Sequence, residues 1–120
     1  MKNQRKVNPE LQLLIEKLRH TSAKEGVALW KSIALTLAGS TKKRPVVNIS
    51  KIERYAGPNE TVIIPGKVLA SGQLSRAVQV AAFCYSKEAK QKIELAKGKA
   101  WTIPELIEKN PKGKEVRILG

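Results

Sequence analysis

The sequence predicts an α/β fold: a single compact domain with an N-terminal helix pair and a small mixed sheet that carries a βαβ unit. Three observations carry this. In the first third of the chain, apolar residues recur at the spacing of one helical face. In the second half, short β-branched runs alternate with Pro and Gly. From Ala77 to Trp101, an apolar run, a capped amphipathic segment, a glycine and a second short run follow in the order of a βαβ unit. The 120 residues suit one domain and bury a core without disulfides or metals. Aromatics make up only 4%, so aliphatic side chains must fill that core.

Residues 1–7 read as a basic N-terminal tail and residues 8–120 as the domain. Asn8-Pro9-Glu10 opens a helix: Asn caps, Pro fits the first helical position, and Glu favours the positive helix end. Leu11, Leu14, Ile15 and Leu18 form its apolar face. The helix is expected to fade near His20-Thr21-Ser22, which puts His20 at the negative end of the dipole. A second helix from Val27 to Ala38 turns Trp30, Ile33, Ala34 and Leu37 inward and is capped by Gly39. The short link between them implies an antiparallel pair.

A polar, basic loop follows from Ser40 to Pro45. Val46–Ile49 reads as a short strand. Ser50 and Glu53, three apart, fit a capping box that opens a short helix through Tyr55. Thr61–Ile64 and Lys67–Leu69 read as two strands turned at Pro65-Gly66, and Gly72 turns the chain again. Ala77–Tyr85 reads as a buried strand, and Ser86 caps a helix from Lys87 to Ala96 that Gly98 ends. Lys99-Ala100-Trp101 is its expected parallel partner. Thr102 and Glu105 form a second capping box for a helix through Glu108. Asn110–Gly113 is a turn, and Val116–Ile118 a final strand.

Charge bears on function. The chain holds 23 Lys+Arg against 10 Asp+Glu, a net of +13. Such self-repulsion is relieved by a polyanionic partner. Nucleic acid fits better than an anionic membrane. The polar face of the first helix carries Glu10 and Glu16 beside Lys17 and Arg19, and no apolar run approaches the ~20 residues of a span. The excess is larger in residues 1–57, with 12 basic and 4 acidic residues, than in 58–120, with 11 and 6.

Cations gather at Lys2, Arg5 and Lys6, and again at Lys42, Lys43 and Arg44 before a stiffening Pro45. Arg offers phosphate a planar fork and Lys a movable point charge. Lys51 and Arg54, three apart on a helix, extend the second cluster. Pro65-Gly66-Lys67 is a further candidate, because glycine permits close approach. The segment Lys87–Lys97 has its lysines offset by Glu88 and Glu94 and reads as a solvated face.

The chemistry of catalysis is missing. The single cysteine, Cys84, lies in an apolar run and reads as buried; the single histidine, His20, is far from it in sequence. One His and one Cys are too few for a metal site. No Gly-rich phosphate loop occurs, so neither a cofactor nor a small-molecule substrate is expected. Trp30 and Trp101 fall at core positions, which favours recognition of RNA shape and backbone over base stacking. No basic leader runs into an apolar core, so the chain reads as cytosolic.

Several motifs, in one uninterrupted order, resemble a known family. They are Asn8-Pro9-x-Leu11, Trp30-Lys31-x-Ile33-Ala34, Val47-Asn48-Ile49-Ser50-Lys51-Ile52, Ile64-Pro65-Gly66-Lys67-Val68-Leu69, Gly72-x-Leu74, Val80-Ala81-Ala82-Phe83 and Thr102-Ile103-x-Glu105-Leu106-Ile107. Asn110-Pro111-Lys112-Gly113 and Val116-Arg117-Ile118 close the match. The sequence resembles the large-subunit ribosomal protein eighteen-e family in its short, archaeal form. That resemblance implies an α/β core shared with the bacterial-type large-subunit protein fifteen, and a structural constituent of the large ribosomal subunit in the cytoplasm. It also implies large-subunit ribosomal RNA and neighbouring large-subunit proteins as partners, and no catalysis or cofactor. Inside the matching motifs it points to Asn48, Ser50, Lys51, Pro65, Gly66 and Lys67 as RNA contacts. The alternative is a free RNA-binding regulator or chaperone acting away from the ribosome.

Overall fold

The computed structural model describes residues 8–120; the predicted tail, with Lys2, Arg5 and Lys6, lies outside the described residues. Helix α1 (Pro9–Glu25) starts where Asn8 caps it, its side-chain oxygen accepting from Glu10 and Leu11 N–H at 3.0 and 3.3 Å. It outruns the expected fade, because Thr21 is buried and continues the Ile15–Leu18 stripe. His20 therefore sits inside the helix and is exposed, not at its end. The stop comes at Gly26, whose left-handed φ of 69° suits glycine. Ser22 takes the Gly26 and Val27 N–H groups on its carbonyl, and α2 (Ala28–Ala38) packs back against α1.

Five strands follow: β1 (Val46–Asn48), β2 (Thr61–Leu69), β3 (Gln79–Tyr85), β4 (Lys99–Thr102) and β5 (Val116–Ile118). Their order is β1-β2-β3-β4, and every pairing is parallel. β5 pairs with Thr61–Ile63 and β1 with Lys67–Leu69, so the two share one flank of β2 end to end. The predicted βαβ unit is β3, α4 (Lys87–Leu95) and β4. The sheet is wholly parallel rather than mixed.

The reason is that the expected hairpin at Pro65-Gly66 does not form. β2 runs straight through both residues, which are buried, with a shift of register against β3 between Ile64 and Lys67. Pro65 has no N–H to donate and sits at that irregularity, in the gap between β5 and β1. Gly66 is needed for a close approach, but the neighbour is the chain itself: a Cβ there would lie 1.9 Å from the Pro45 carbonyl oxygen.

A parallel sheet must be covered on both faces. On one face Val62, Ile64, Val80 and Ala82 meet Ile52 of α3 (Ile49–Tyr55) and Ala89 and Ile93 of α4. On the other, Ile63 and Ala81 meet Leu18, Trp30, Ile33 and Leu37 of the helix pair and Ile103, Leu106 and Ile107 of α5 (Ile103–Lys109). Trp30 is fully buried and its indole N–H donates to the Pro111 carbonyl at 2.7 Å. The Thr102–Glu105 capping box forms on both sides, at 3.2 and 2.7 Å.

The Ser50–Glu53 box does not form. Asn48 is the N-cap without a side-chain bond, the Ser50 N–H donates to the Ser71 carbonyl, and Glu53 turns to Ser75. Cys84 is exposed, not buried: it lies one residue from the end of β3, where burial falls off and Phe83 and Tyr85 on either side are only half-buried.

Candidate nucleic-acid interface

With all strands parallel, β1 and β2 end on the same side of the sheet, and α3 leaves β1 directly. Chain connectivity therefore places the central candidates on the segments that adjoin the β1–β2 corner: the turn before β1, α3 after it, and β2 itself. A short 3-10 turn, Thr41–Lys43, precedes β1 and is capped by the Ser40 hydroxyl, which accepts from Lys42 N–H at 3.2 Å. Lys42 and Lys43 are exposed. Asn48 ends β1 opposite Leu69, half-buried, and Ser50, Lys51 and Arg54 are exposed on α3. Lys67 is exposed on β2, opposite Val46 on one side and Cys84 on the other, both also exposed.

Three candidates are placed differently. Pro65 and Gly66 are buried within β2 and present no surface at this corner. Arg44 turns inward: its Nη2 donates to the Leu37 carbonyl at 3.0 Å, its guanidinium lies 5.1 Å from the centre of the Phe83 ring, and its Nε is buried without a partner. It fastens the loop to the end of α2. Tyr55, which sequence reading passed over, is 42% exposed and lines a shallow concavity with Ser50, Lys51 and Arg54. The signal available was its place beside Arg54 on a short polar helix, which leaves an aromatic no core to enter.

Internal partners sort the remaining cations. Lys17 pairs with Glu108 at 2.7 Å, which holds that carboxyl below the usual carboxylate range, and Arg117 pairs with Glu60 at 3.4 Å. Arg76 donates to the carbonyls of Glu53 and Ala56 at 2.9 and 2.6 Å, and Lys92 to those of Ala70 and Gly72 at 2.7 and 2.8 Å. Lys109 lies 5.0 Å over the Trp101 ring. Arg54 lies 6.0 Å over the ring of its neighbour Tyr55, and neither it nor Lys42, Lys43, Lys51 or Lys67 has a carboxylate within ion-pair distance among the described residues. The nearest acid on α3, Glu53, accepts from the Ser75 hydroxyl and N–H, which lowers its pKa. Its charge is thus turned towards Ser75.

Other chemistry finds no support here. Burial, then the charge of Glu105, pushes the Tyr85 hydroxyl far above its ordinary range, and that hydroxyl donates to the Trp101 carbonyl at 2.7 Å, with the Val80 carbonyl also within reach at 3.1 Å. It is a packing group. An apolar groove beside Phe83 is lined by Asn8, Glu10, Leu11 and Pro104 among others and holds no nucleophile–base pair. Among the described residues no three His, Cys, Asp or Glu side chains are grouped to hold a metal, and no helix is long and apolar enough to cross a membrane.

The fold and this corner define a class: a small α/β protein with a doubly covered parallel sheet and an exposed cationic surface. The family model described as "Ribosomal protein 60S L18 and 50S L18e" matches residues 1–120, and the chain belongs to that family. It is 46% identical over 114 residues to the large ribosomal subunit protein eL18 of Methanothermobacter thermautotrophicus, covering 95% of this chain and 94% of the relative. It is 49% identical over 115 residues to that of Methanosphaerula palustris (96% and 95% covered), and 47% over 115 residues to that of Archaeoglobus fulgidus (96% and 98%).

Proposed function

We propose that the chain is a structural constituent of the large ribosomal subunit, at work in the cytoplasm, that binds and stabilises folded large-subunit ribosomal RNA through the β1–β2 corner. The reading rests on the relatives' names and on one observation: the segments around that corner expose five cations, Lys42, Lys43, Lys51, Arg54 and Lys67, none with a carboxylate within ion-pair distance among the described residues. A cation left without an internal partner keeps its full attraction for phosphate, and each contact releases condensed counterions. Arg44 acts in this scheme by holding the loop that carries Lys42 and Lys43. Lys2, Arg5 and Lys6 add charge from the tail that leads into α1. Neighbouring large-subunit proteins are the other partners.

The test is a charge-removal variant. Lys42, Lys43, Lys51 and Lys67 are exposed, so changing all four to Ala leaves the melting temperature within a few degrees. Affinity for deproteinised large-subunit RNA falls at least a hundredfold at low salt, at about tenfold or more for each pair of phosphate contacts. Unaltered affinity places the interface elsewhere.

A further inference from the structure

Parallel strands β2 and β3 are joined by residues 70–78 alone, with no helix between them. Crossovers of this kind usually take a dozen residues or more. A link this short spans at most about 30 Å, so it returns along β2 only if nearly straight. The burial pattern shows such an extended run. Ala70, Gly72, Leu74 and Arg76 are half-buried, while Ser71, Gln73, Ser75 and Ala77 are exposed. That is the period of a strand, yet the segment has no strand partner.

Side chains and backbone from α3 and α4 replace one. From α4, the Lys92 ammonium donates to the carbonyls of Ala70 and Gly72. From α3, the Ser50 N–H donates to the Ser71 carbonyl at 3.0 Å, and Glu53 accepts from Ser75 twice. Arg76 reaches back to the last carbonyls of α3. Gly72, at φ +109°, lies so close to α3 that a Cβ would stand 2.5 Å from the Ser50 side chain. The link is thus fixed at Ala70, Ser71, Gly72, Ser75 and Arg76.

We propose that residues 70–77 form a preformed docking ridge for the sugar–phosphate backbone of folded RNA, with Lys92 as its positioning residue. The proposal rests on the RNA-binding reading above and extends it beyond the cations. The ridge adjoins Ser50, which lines the concavity with Lys51, Arg54 and Tyr55. Its outward side chains are small or polar and uncharged, and the Glu53 carboxylate is held on Ser75, so a nucleic-acid strand held on those cations meets neither bulk nor a charged side chain of the ridge at Ser71 and Gln73. The Ser71 hydroxyl and Gln73 carboxamide both donate and accept, as a ribose 2′-hydroxyl does. A protein partner would need apolar or aromatic anchors, which the outward positions lack.

The test uses the full chain and deproteinised large-subunit ribosomal RNA at two salt concentrations. Ser71→Ala/Gln73→Ala is expected to lower affinity about tenfold at both, since neutral hydrogen bonds are lost. Its log–log salt slope and melting temperature stay those of the parent. Lys92→Met is expected to weaken binding with the slope likewise unchanged and to speed exchange of the Ser50 amide proton. Binding of the double variant within twofold of the parent overturns the proposal. Poor retention in reconstituted subunits despite such intact RNA affinity would assign the ridge to a protein neighbour. A slope about 0.8 shallower in Lys92→Met would make Lys92 a phosphate contact, against the positioning role. Failure of the parent chain itself to bind this RNA sinks the underlying reading instead, before any variant is compared.

Discussion

Arg44 and Lys42 lie two residues apart and do different things. Lys42 is exposed and its ammonium has no side-chain partner among the described residues, whereas Arg44 ties its loop to Leu37 and Phe83. Arg44→Ala removes one hydrogen bond, worth about 1 kcal/mol, and one cation–π contact, worth about 0.5–1 kcal/mol. Urea unfolding should show a loss of about 1–2 kcal/mol for Arg44→Ala and under about 0.5 kcal/mol for Lys42→Ala. Equal stabilities in the two variants would remove the anchoring role. The run Lys42-Lys43-Arg44 reads as one patch in sequence because composition carries charge but not direction. The inward turn of Arg44 depends on Phe83, which is distant in sequence and is brought near by the fold.

At the scale of elements, local signals were legible and long-range ones were not. The Asn8 cap and the Thr102–Glu105 box were readable because a few adjacent residues decide them. The stripe Trp30, Ile33, Ala34 and Leu37 faces the core as its spacing requires. Pro65-Gly66 misled because a hairpin turn and an irregularity inside a strand share one local signature. What separates them is Pro45, whose carbonyl accepts the Lys67 N–H at 3.0 Å and crowds Gly66. The Ser50–Glu53 spacing also met the rule for a box, but Ser71 and Ser75, some twenty residues on, took both groups. Gly66→Ala should cost about 3 kcal/mol, since β1 must part from β2 to admit the methyl group. A shift of the urea midpoint at constant slope measures it; a midpoint equal to the parent's would contradict the close approach.

For the whole molecule, the surplus of 13 positive charges was plain in the composition, and the α/β class in the order of its elements. The structure adds which cations serve the fold. Arg76 and Lys92 hold carbonyls and Lys17 and Arg117 hold carboxylates, whereas Lys42, Lys43, Lys51, Arg54 and Lys67, like other exposed lysines such as Lys31 and Lys99, form no ion pair among the described residues. That division is invisible in charge counts; the expected number of phosphate contacts follows from the five cations of the proposed corner. The most direct measurement is the salt dependence of binding between the full chain and deproteinised large-subunit RNA. With those five cations engaged, the log–log slope is expected near −4, at about 0.7–0.9 per contact, and steeper if the tail cations join. A slope close to zero would contradict phosphate neutralisation as the basis of binding.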